Sequence, residues 1–273
     1  MGQGTTFSVY RERKRKSFRS RVMRLAPLQS QLFTDGYRLI NNYSEQSTKI
    51  FKMLDYSDIS TTINNITGYG DATKIFYESG SHELFISNQA LTNAFIRIYH
   101  FVYRRDSAKT PGTLITNGLA DIYTGTAPTV TTYGVTPTMS PAFNAYIKIK
   151  RTYFIELGAG RTHMHKAYYQ WNKEFNNEIT AEGAGTTSDQ AYAGWTKGML
   201  LVLHGEPVND VETKDKVVPS SGAIDIVFRE RINYRYADPI QNKLEYITNL
   251  ASTGVTENVM DPASGAVETQ VVA

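Results

Sequence analysis

The chain reads as an all-β protein, a single eight-stranded jelly-roll sandwich with a disordered basic N-terminal arm, on three observations. After Pro27 the composition turns to tyrosine and β-branched residues, broken by Gly, Pro, Asn or Asp roughly every ten residues, which favours many short strands over helices. Two long stretches alternate apolar and polar side chains with the period of a half-buried strand. The segments 106–142 and 172–197 are too long and too rich in Thr, Gly, Ala, Pro and Asn for hairpin turns; a few such crossings suit a two-sheet jelly roll better than an up-and-down barrel.

In chain order, residues 1–30 form the basic arm. They carry eight Lys and Arg against Glu12 alone, a net +7. Arg11 to Arg24 has no sustained amphipathic period, and like charges at that density repel, so the arm is expected to be disordered when unbound. Residues 31–237 carry twenty charges of each sign and are the expected shell domain; about 200 residues can bury one sizeable core. Residues 238–273 carry Lys243 against five acids, an acidic tail of net −4.

Within the body, weak strand patterns lie in 37–54 and 73–78, and clearer ones at His82 to Ser87 and Phe95 to Tyr103. Tyr146 to Leu157 places Ile147, Ile149, Tyr153 and Ile155 on one side and Lys148, Lys150, Thr152 and Glu156 on the other, with Arg151 intruding on the apolar side. Gly158-Ala159-Gly160 then supplies a turn and Thr162 to Tyr169 a return strand, read as a local antiparallel hairpin. Met199 to Leu203 is apolar throughout, as for a strand buried on both faces. In the last strand, Ile224, Ile226, Phe228, Ile232, Tyr234 and Tyr236 alternate with Asp225, Val227, Arg229, Arg231, Asn233 and Arg235. Glu230 breaks the apolar face, which calls for either a place at the sheet margin beside a cation or a bulge.

Several function classes lack support. The absence of cysteine removes disulfides, thiolate metal sites and a cysteine nucleophile. No apolar stretch approaches the roughly 20 residues that cross a bilayer, and Val22 to Leu28 is interrupted by Arg24 and Pro27, so no export signal is read. Ser140 and Ser188 lack nucleophile-elbow glycines, and no catalytic set stands out; the expectation is a non-enzymatic protein without cofactor. His163 and His165 share a strand face as half of a metal site, but no third ligand is evident and exposed polar residues explain them better.

What remains is charge and aromatic surface. Arg11, Arg13, Lys14, Arg15, Lys16, Arg19, Arg21 and Arg24 are the expected nucleic-acid-binding residues, neutralising phosphates with counterion release and little sequence preference. Tyr10 and Phe18 could stack on bases, and Lys14 to Lys16 also fits a nuclear localisation signal. Arg229, Arg231 and Arg235 are secondary candidates for genome or interface contacts, with an ordinary solvated face as the plain alternative. Tyr168, Tyr169, Trp171, Phe175 and Trp195 are either core closures or interface anchors.

Taken in order, the basic arm, the Tyr-Ile-Lys-Ile-Lys-Arg-Thr-Tyr strand at 146–153, the Lys-Gly-Met-Leu-Leu-Val-Leu-His-Gly-Glu-Pro stretch at 197–207 and the strand from Asp225 to Tyr236 carry a resemblance. The chain resembles the capsid proteins of circular, Rep-encoding single-stranded DNA viruses, the circovirus-like group. The resemblance implies a jelly roll whose copies assemble into a small icosahedral shell of sixty subunits around genomic single-stranded DNA held by an inward-facing arm. It also implies a virion component that visits the host nucleus through the import machinery; a receptor is not indicated. Two departures stand out: the arm is short and mixes lysine with arginine, and an acidic tail extends past the last strand. Two other readings are open. One is a jelly-roll capsid protein of a small RNA or satellite virus. The other is a membrane-attached matrix protein, because Met1-Gly2-Gln3-Gly4-Thr5-Thr6 matches the loose myristoylation pattern beside a basic run.

Overall fold

In the computed structural model the described residues are 28–42, 45–65, 74–176, 190–209, 217–237 and the strands 256–260 and 267–271. Among them the elements run β1 (Gln29–Asn41), β2 (Ser47–Met53), α1 (Tyr56–Asn65), β3 (Lys74–Asn88), β4 (Ala94–Tyr103), α2 (Pro111–Ala120), a 3₁₀ turn (Pro137–Met139), α3 (Pro141–Tyr146), β5 (Ile147–Leu157), β6 (Thr162–Asn176) and β7 (Lys197–Gly205). Then come β8 (Pro207–Asn209), β9 (Val217–Pro219), β10 (Gly222–Ala237), β11 (Thr256–Met260) and β12 (Val267–Val271).

Eight long strands pair into two antiparallel sheets, ordered β1-β10-β3-β6 and β2-β7-β4-β5; β8-β9 and β11-β12 are separate two-stranded ribbons. Successive long strands change sheet at every crossing except β4 to β5, which are neighbours. That winding is a jelly roll, in agreement with the sequence.

The alternation of β10 does what it predicts: Ile224, Ile226, Phe228, Ile232 and Tyr234 are buried between the sheets. Facing them are Phe51 and Met53 of β2, Ile96 and Ile98 of β4, and Met199, Leu201 and Leu203 of β7, with the Phe51 and Phe228 rings 4.5 Å apart. In β7 the outward side chains Leu200 and Val202 are buried too. Their cover is the segment between β4 and β5. Leu114, Ile115 and Leu119 of α2, Val135, and Phe143 of α3 close a second core over Tyr99, Phe101, Tyr103, Leu200 and Val202.

Segment 106–142 is therefore not the surface loop its composition suggested but a helical layer. Its helices start at Thr110-Pro111 and Ser140-Pro141, where each hydroxyl accepts from the backbone N–H three residues on and the proline occupies the first turn. Ser140 also donates to the Leu114 carbonyl at 2.9 Å, tying α3 to α2.

Three further expectations need correction. The strand patterns at 73–78 and 82–87 belong to one strand, β3, kinked by a bulge between Tyr77 and Ser79. The polar run Glu78-Ser79-Gly80-Ser81 hid its continuity; Gly80 packs beneath Met53 and Trp171, where a side chain would not fit. β6 runs on to Asn176, so 172–176 is strand; residues 177–189 lie outside the described residues. Finally, β5 and β6 do not form a hairpin: β5 pairs with β4 and β6 with β3. Gly158 to Arg161 crosses from one sheet to the other, with Gly160 at φ +64°. Buried Asn88 clips this corner, exchanging backbone bonds with Arg161 and Gly160 and donating from Nδ2 to the Leu157 and Thr92 carbonyls.

A register shift in β5 explains Arg151. His100 pairs with Arg151 and Phe101 with Ile149, so Lys150 is an extra residue without a cross-strand partner. Before the bulge, Ile147 and Ile149 face the helical layer; after it, Tyr153, Ile155 and Leu157 face the inter-sheet core.

The helical layer packs tightly at Gly118, where a Cβ would meet Ser140 Oγ and the Ala142 backbone. A Gly-to-Ala change inside a helix ordinarily stabilises by up to about 1 kcal/mol. Gly118→Ala is instead expected to destabilise by about 1–3 kcal/mol through overpacking, read as a lower denaturant midpoint.

Candidate nucleic-acid and subunit interfaces

The first-rank site residues of the sequence, Arg11 to Arg24, lie outside the described residues. The secondary candidates can be placed. Arg229 and Arg231 of β10 project from the outer face of the β1-β10-β3-β6 sheet and are exposed. Arg229 lies between Thr34 and Glu83 in register, its guanidinium 5.4 Å from the Phe85 ring centroid; Glu83 is held by Lys166 at 2.9 Å. Arg231 lies between Leu32 and Ser81. Arg235 differs: its Nε donates to Glu78 Oε1 at 2.7 Å within the chain.

Among the described residues no helical layer covers this face, which is banded. The row Gly36, Val227, Phe85 and Met164 crosses all four strands as an apolar stripe, and the next row, Thr34, Arg229, Glu83 and Lys166, is polar. Register alone makes such bands, because residues paired across strands share a face.

Glu230, on the opposite face of the same strand, corrects the sequence reading twice. It is at neither a margin nor a bulge: β10 is an interior strand, and its register shift falls between Asn233 and Tyr234. Its carboxyl lies 2.9 Å from Nε2 of His82, which is wholly buried and whose Nδ1 lies 3.3 Å from the Tyr169 hydroxyl. Burial pushes Glu230 up to about 8, helped by the charge of Asp55, and lowers His82 to about 3. The neutral pair is therefore the resting state: the carboxylic acid donates to Nε2, and the imidazole Nδ1–H donates to Tyr169. Burial also raises Asp58 well above the carboxylate range, with the charges of Glu230 and Asp55 adding to it; its carboxylate accepts from Leu54 N–H at 2.7 Å ahead of α1. These groups border a cleft of about 370 Å³ between β1, β2, α1 and β10, where Lys52 holds Asp55 at 2.9 Å.

The histidines of β6 are also not the exposed pair expected. His165 is buried and its Nε2 lies 2.7 Å from Nε2 of His100 on β4, so one ring donates and the other accepts. His163 stacks beside His165, with centroids 6.3 Å apart. Among the described residues no group of three His, Cys, Asp or Glu is arranged to hold a metal. His100, His165 and His204 are each lowered to about 4, chiefly by burial.

Of the aromatic cluster, Tyr169, Trp171 and Phe175 are core, Trp195 packs against it, and Tyr168 points outward at 74% exposure. An aromatic surface that sequence reasoning missed lies on the outer side of β4 and β5, beyond the helical layer. Phe95 and Phe154 stack at 5.8 Å with Arg97 over Phe154, which is 59% exposed. With Tyr133 and His204 these residues help line a cleft of about 340 Å³ there. The pairing Arg97 to Phe154 across β4 and β5 was hidden because the bulge reverses the alternation of β5.

No protein-family model and no curated protein matches the sequence. Two solved structures to which the chain is similar come from viruses. One is from Desmodium yellow mottle tymovirus, at 9% identity and TM-score 0.21 over 74% of this chain and 87% of that one. The other is from infectious bursal disease virus, Gx strain, at 9% identity and TM-score 0.24 over 82% of this chain; this chain spans half the length of that one. Both superpositions are loose, and the jelly-roll assignment stands on strand order and register.

Because Glu230 binds its proton more tightly when folded, the stability it contributes is fully present below its ordinary value of 4.5 and is lost as pH rises through about 8. His82 has the opposite sign: its contribution is present above 6.5 and lost as pH falls through about 3. Glu230→Gln keeps a donor for His82 but removes the proton. The expected result is a shallower fall of unfolding free energy between pH 6.5 and 8, by at most about 1.4 kcal/mol per pH unit, in denaturant titrations of both proteins.

Proposed function

We propose that this chain is a viral capsid subunit: the jelly roll builds the wall of a small shell and the basic arm holds the packaged nucleic acid. The observation that carries the reading is the coupling, in one chain, of a jelly-roll body with no net charge to a leading segment of net +7. Neutral bodies can pack side by side with little electrostatic repulsion, whereas many +7 arms in one cavity repel until phosphate neutralises them. Assembly and packaging are then coupled, and the role is structural, not enzymatic. Fold alone does not assign function, since jelly rolls also serve lectins and cupins; the arm separates this chain from those.

The cargo that fits the sequence resemblance is a circular single-stranded DNA genome, with sixty subunits per shell and the arm doubling as the nuclear import signal. Phosphate contacts do not separate DNA from RNA, so sequencing the nuclease-protected nucleic acid is the deciding measurement. Recovered RNA would replace the DNA reading with the small RNA virus one. The aromatic surface of Phe95, Phe154 and Tyr133 is a contact between copies of this chain: exposed aromatics beside an arginine are the usual anchors of such interfaces.

Two outcomes check this. Replacing the eight arm cations with glutamine is expected to leave particles or folded subunits with most of their nucleic-acid absorbance lost; an undiminished ratio to protein absorbance overturns the arm's role. Phe154→Asp is expected to leave the circular dichroism of the subunit unchanged, because the ring is exposed, while blocking assembly in sedimentation. Loss of about 2 kcal/mol at each repeated contact is enough for that.

A further inference from the structure

β5 and β6 are edge strands of their two sheets, on the same side of the sandwich, and a cleft of about 500 Å³ opens between them. Among the described residues its walls carry Lys150, Arg151, Lys166 and Lys197 and no carboxylate. Lys166 is compensated from outside the cleft by Glu83, at 2.9 Å. The other three have no acid along the lining among the described residues.

Two of these cations are placed by special geometry. Lys150 is the unpaired residue of the β5 bulge, a device that re-aims a side chain away from the ladder, and Arg151 next to it is hydrogen-bonded with Tyr153. Lys197 is half-buried: its ammonium donates to the Gln170 carbonyl at 2.8 Å and sits 4.7 Å over the Trp171 ring. Burial, and then the charges of Lys173 and Lys150, lower its hold on the proton, so the fold keeps like charges together at a cost. An anion in the cleft would reverse the sign of that interaction. Tyr168 stands at the rim with 74% of its surface exposed, an open stacking face amid cations. Cations along a groove with an accessible aromatic ring are the chemistry that binds unpaired nucleotides without sequence preference.

We propose that this cleft is a phosphodiester-binding site on the folded body, in which Lys150, Arg151 and Lys197 hold backbone phosphates of single-stranded nucleic acid and Tyr168 stacks on a base. It rests on the packaging reading above and adds a second, ordered contact to that of the arm. The two are within reach: the arm enters the fold at β1, and β1 and β6 are opposite edges of one four-stranded sheet, roughly 15 Å apart.

The test uses the full-length chain and a twenty-nucleotide oligothymidine, titrated at several salt concentrations. Each phosphate contact on a single strand contributes about 0.7 to the slope of log affinity against log salt, so K150Q/R151Q is expected to lower the slope by about 1.4. Lys148→Gln, on the same strand but outside the cleft, is expected to leave it unchanged. Tyr168→Ala is expected to weaken binding roughly tenfold. Ultraviolet cross-linking of the unaltered chain, which needs no variant to fold, is expected to attach the oligonucleotide to the peptide containing Tyr168. An unchanged slope for K150Q/R151Q, or cross-links confined to the arm, overturns the cleft and leaves the arm reading intact. Competition by a peptide of residues 238–273 without any oligonucleotide cross-link in the cleft makes it a site for the acidic tail and likewise overturns the proposal. No binding of the oligonucleotide by the unaltered chain, even at low salt, overturns both readings.

Discussion

The strand Met199 to Leu203 has no polar side, and most of the architecture follows from having to cover it twice. Its inner face is closed by the β1-β10-β3-β6 sheet, which accounts for the sandwich. Its outer face needs a second lid, which the chain supplies from the long connection between β4 and β5. That connection cannot be a floppy crossing: it must bring Leu114, Ile115, Leu119 and Phe143 down onto Leu200 and Val202, at about 1.5–3 kcal/mol for each large side chain buried. The consequence is asymmetry. One sheet is covered on both faces along β7 and the facing half of β4, and among the described residues the other keeps an outer face open.

The open face and the core behind it treat charge in opposite ways. Outside, Arg229, Glu83 and Lys166 are water-exposed or loosely paired, where a charge costs little. Inside, one residue along the strand, Glu230 is tolerated because it is neutral and hydrogen-bonded to an imidazole that is itself neutral. A buried ion without that partner would cost several kcal/mol. The fold thus keeps its most deeply buried ionisable pair neutral and leaves its other charges exposed or ion-paired, as Asp55 is with Lys52.

What could be read from the sequence was what depends on neighbours along the chain. The alternation of β10 and the two-sided burial of β7 are such signals, and the jelly roll followed from counting strands and long crossings. Pairing partners were not legible. Gly158 to Gly160 looks like a hairpin turn because a short glycine loop specifies a reversal of direction but not which sheet receives the next strand. Glu230 could not be interpreted because His82 lies 148 residues away. The helical layer has a local signal in Thr110-Pro111 and Ser140-Pro141, start sites for helices, but the Thr- and Gly-rich composition around them outweighs it. Of the candidate residues, Arg229 and Arg231 are where an alternating strand puts them, while the engagement of Arg235 by Glu78 depends on a β3 that the sequence showed only in pieces.

The bulge at Lys150 makes β5 two half-strands of opposite phase, the first wedded to the helical lid and the second to the sandwich interior. A plain zigzag of the same length would put Ile147, Ile149, Tyr153 and Ile155 on one side and turn the greasy face of one half to water; the extra residue lets both halves stay covered. The spacing of apolar residues in this short stretch, more than the identity of any one of them, therefore obliges the kink.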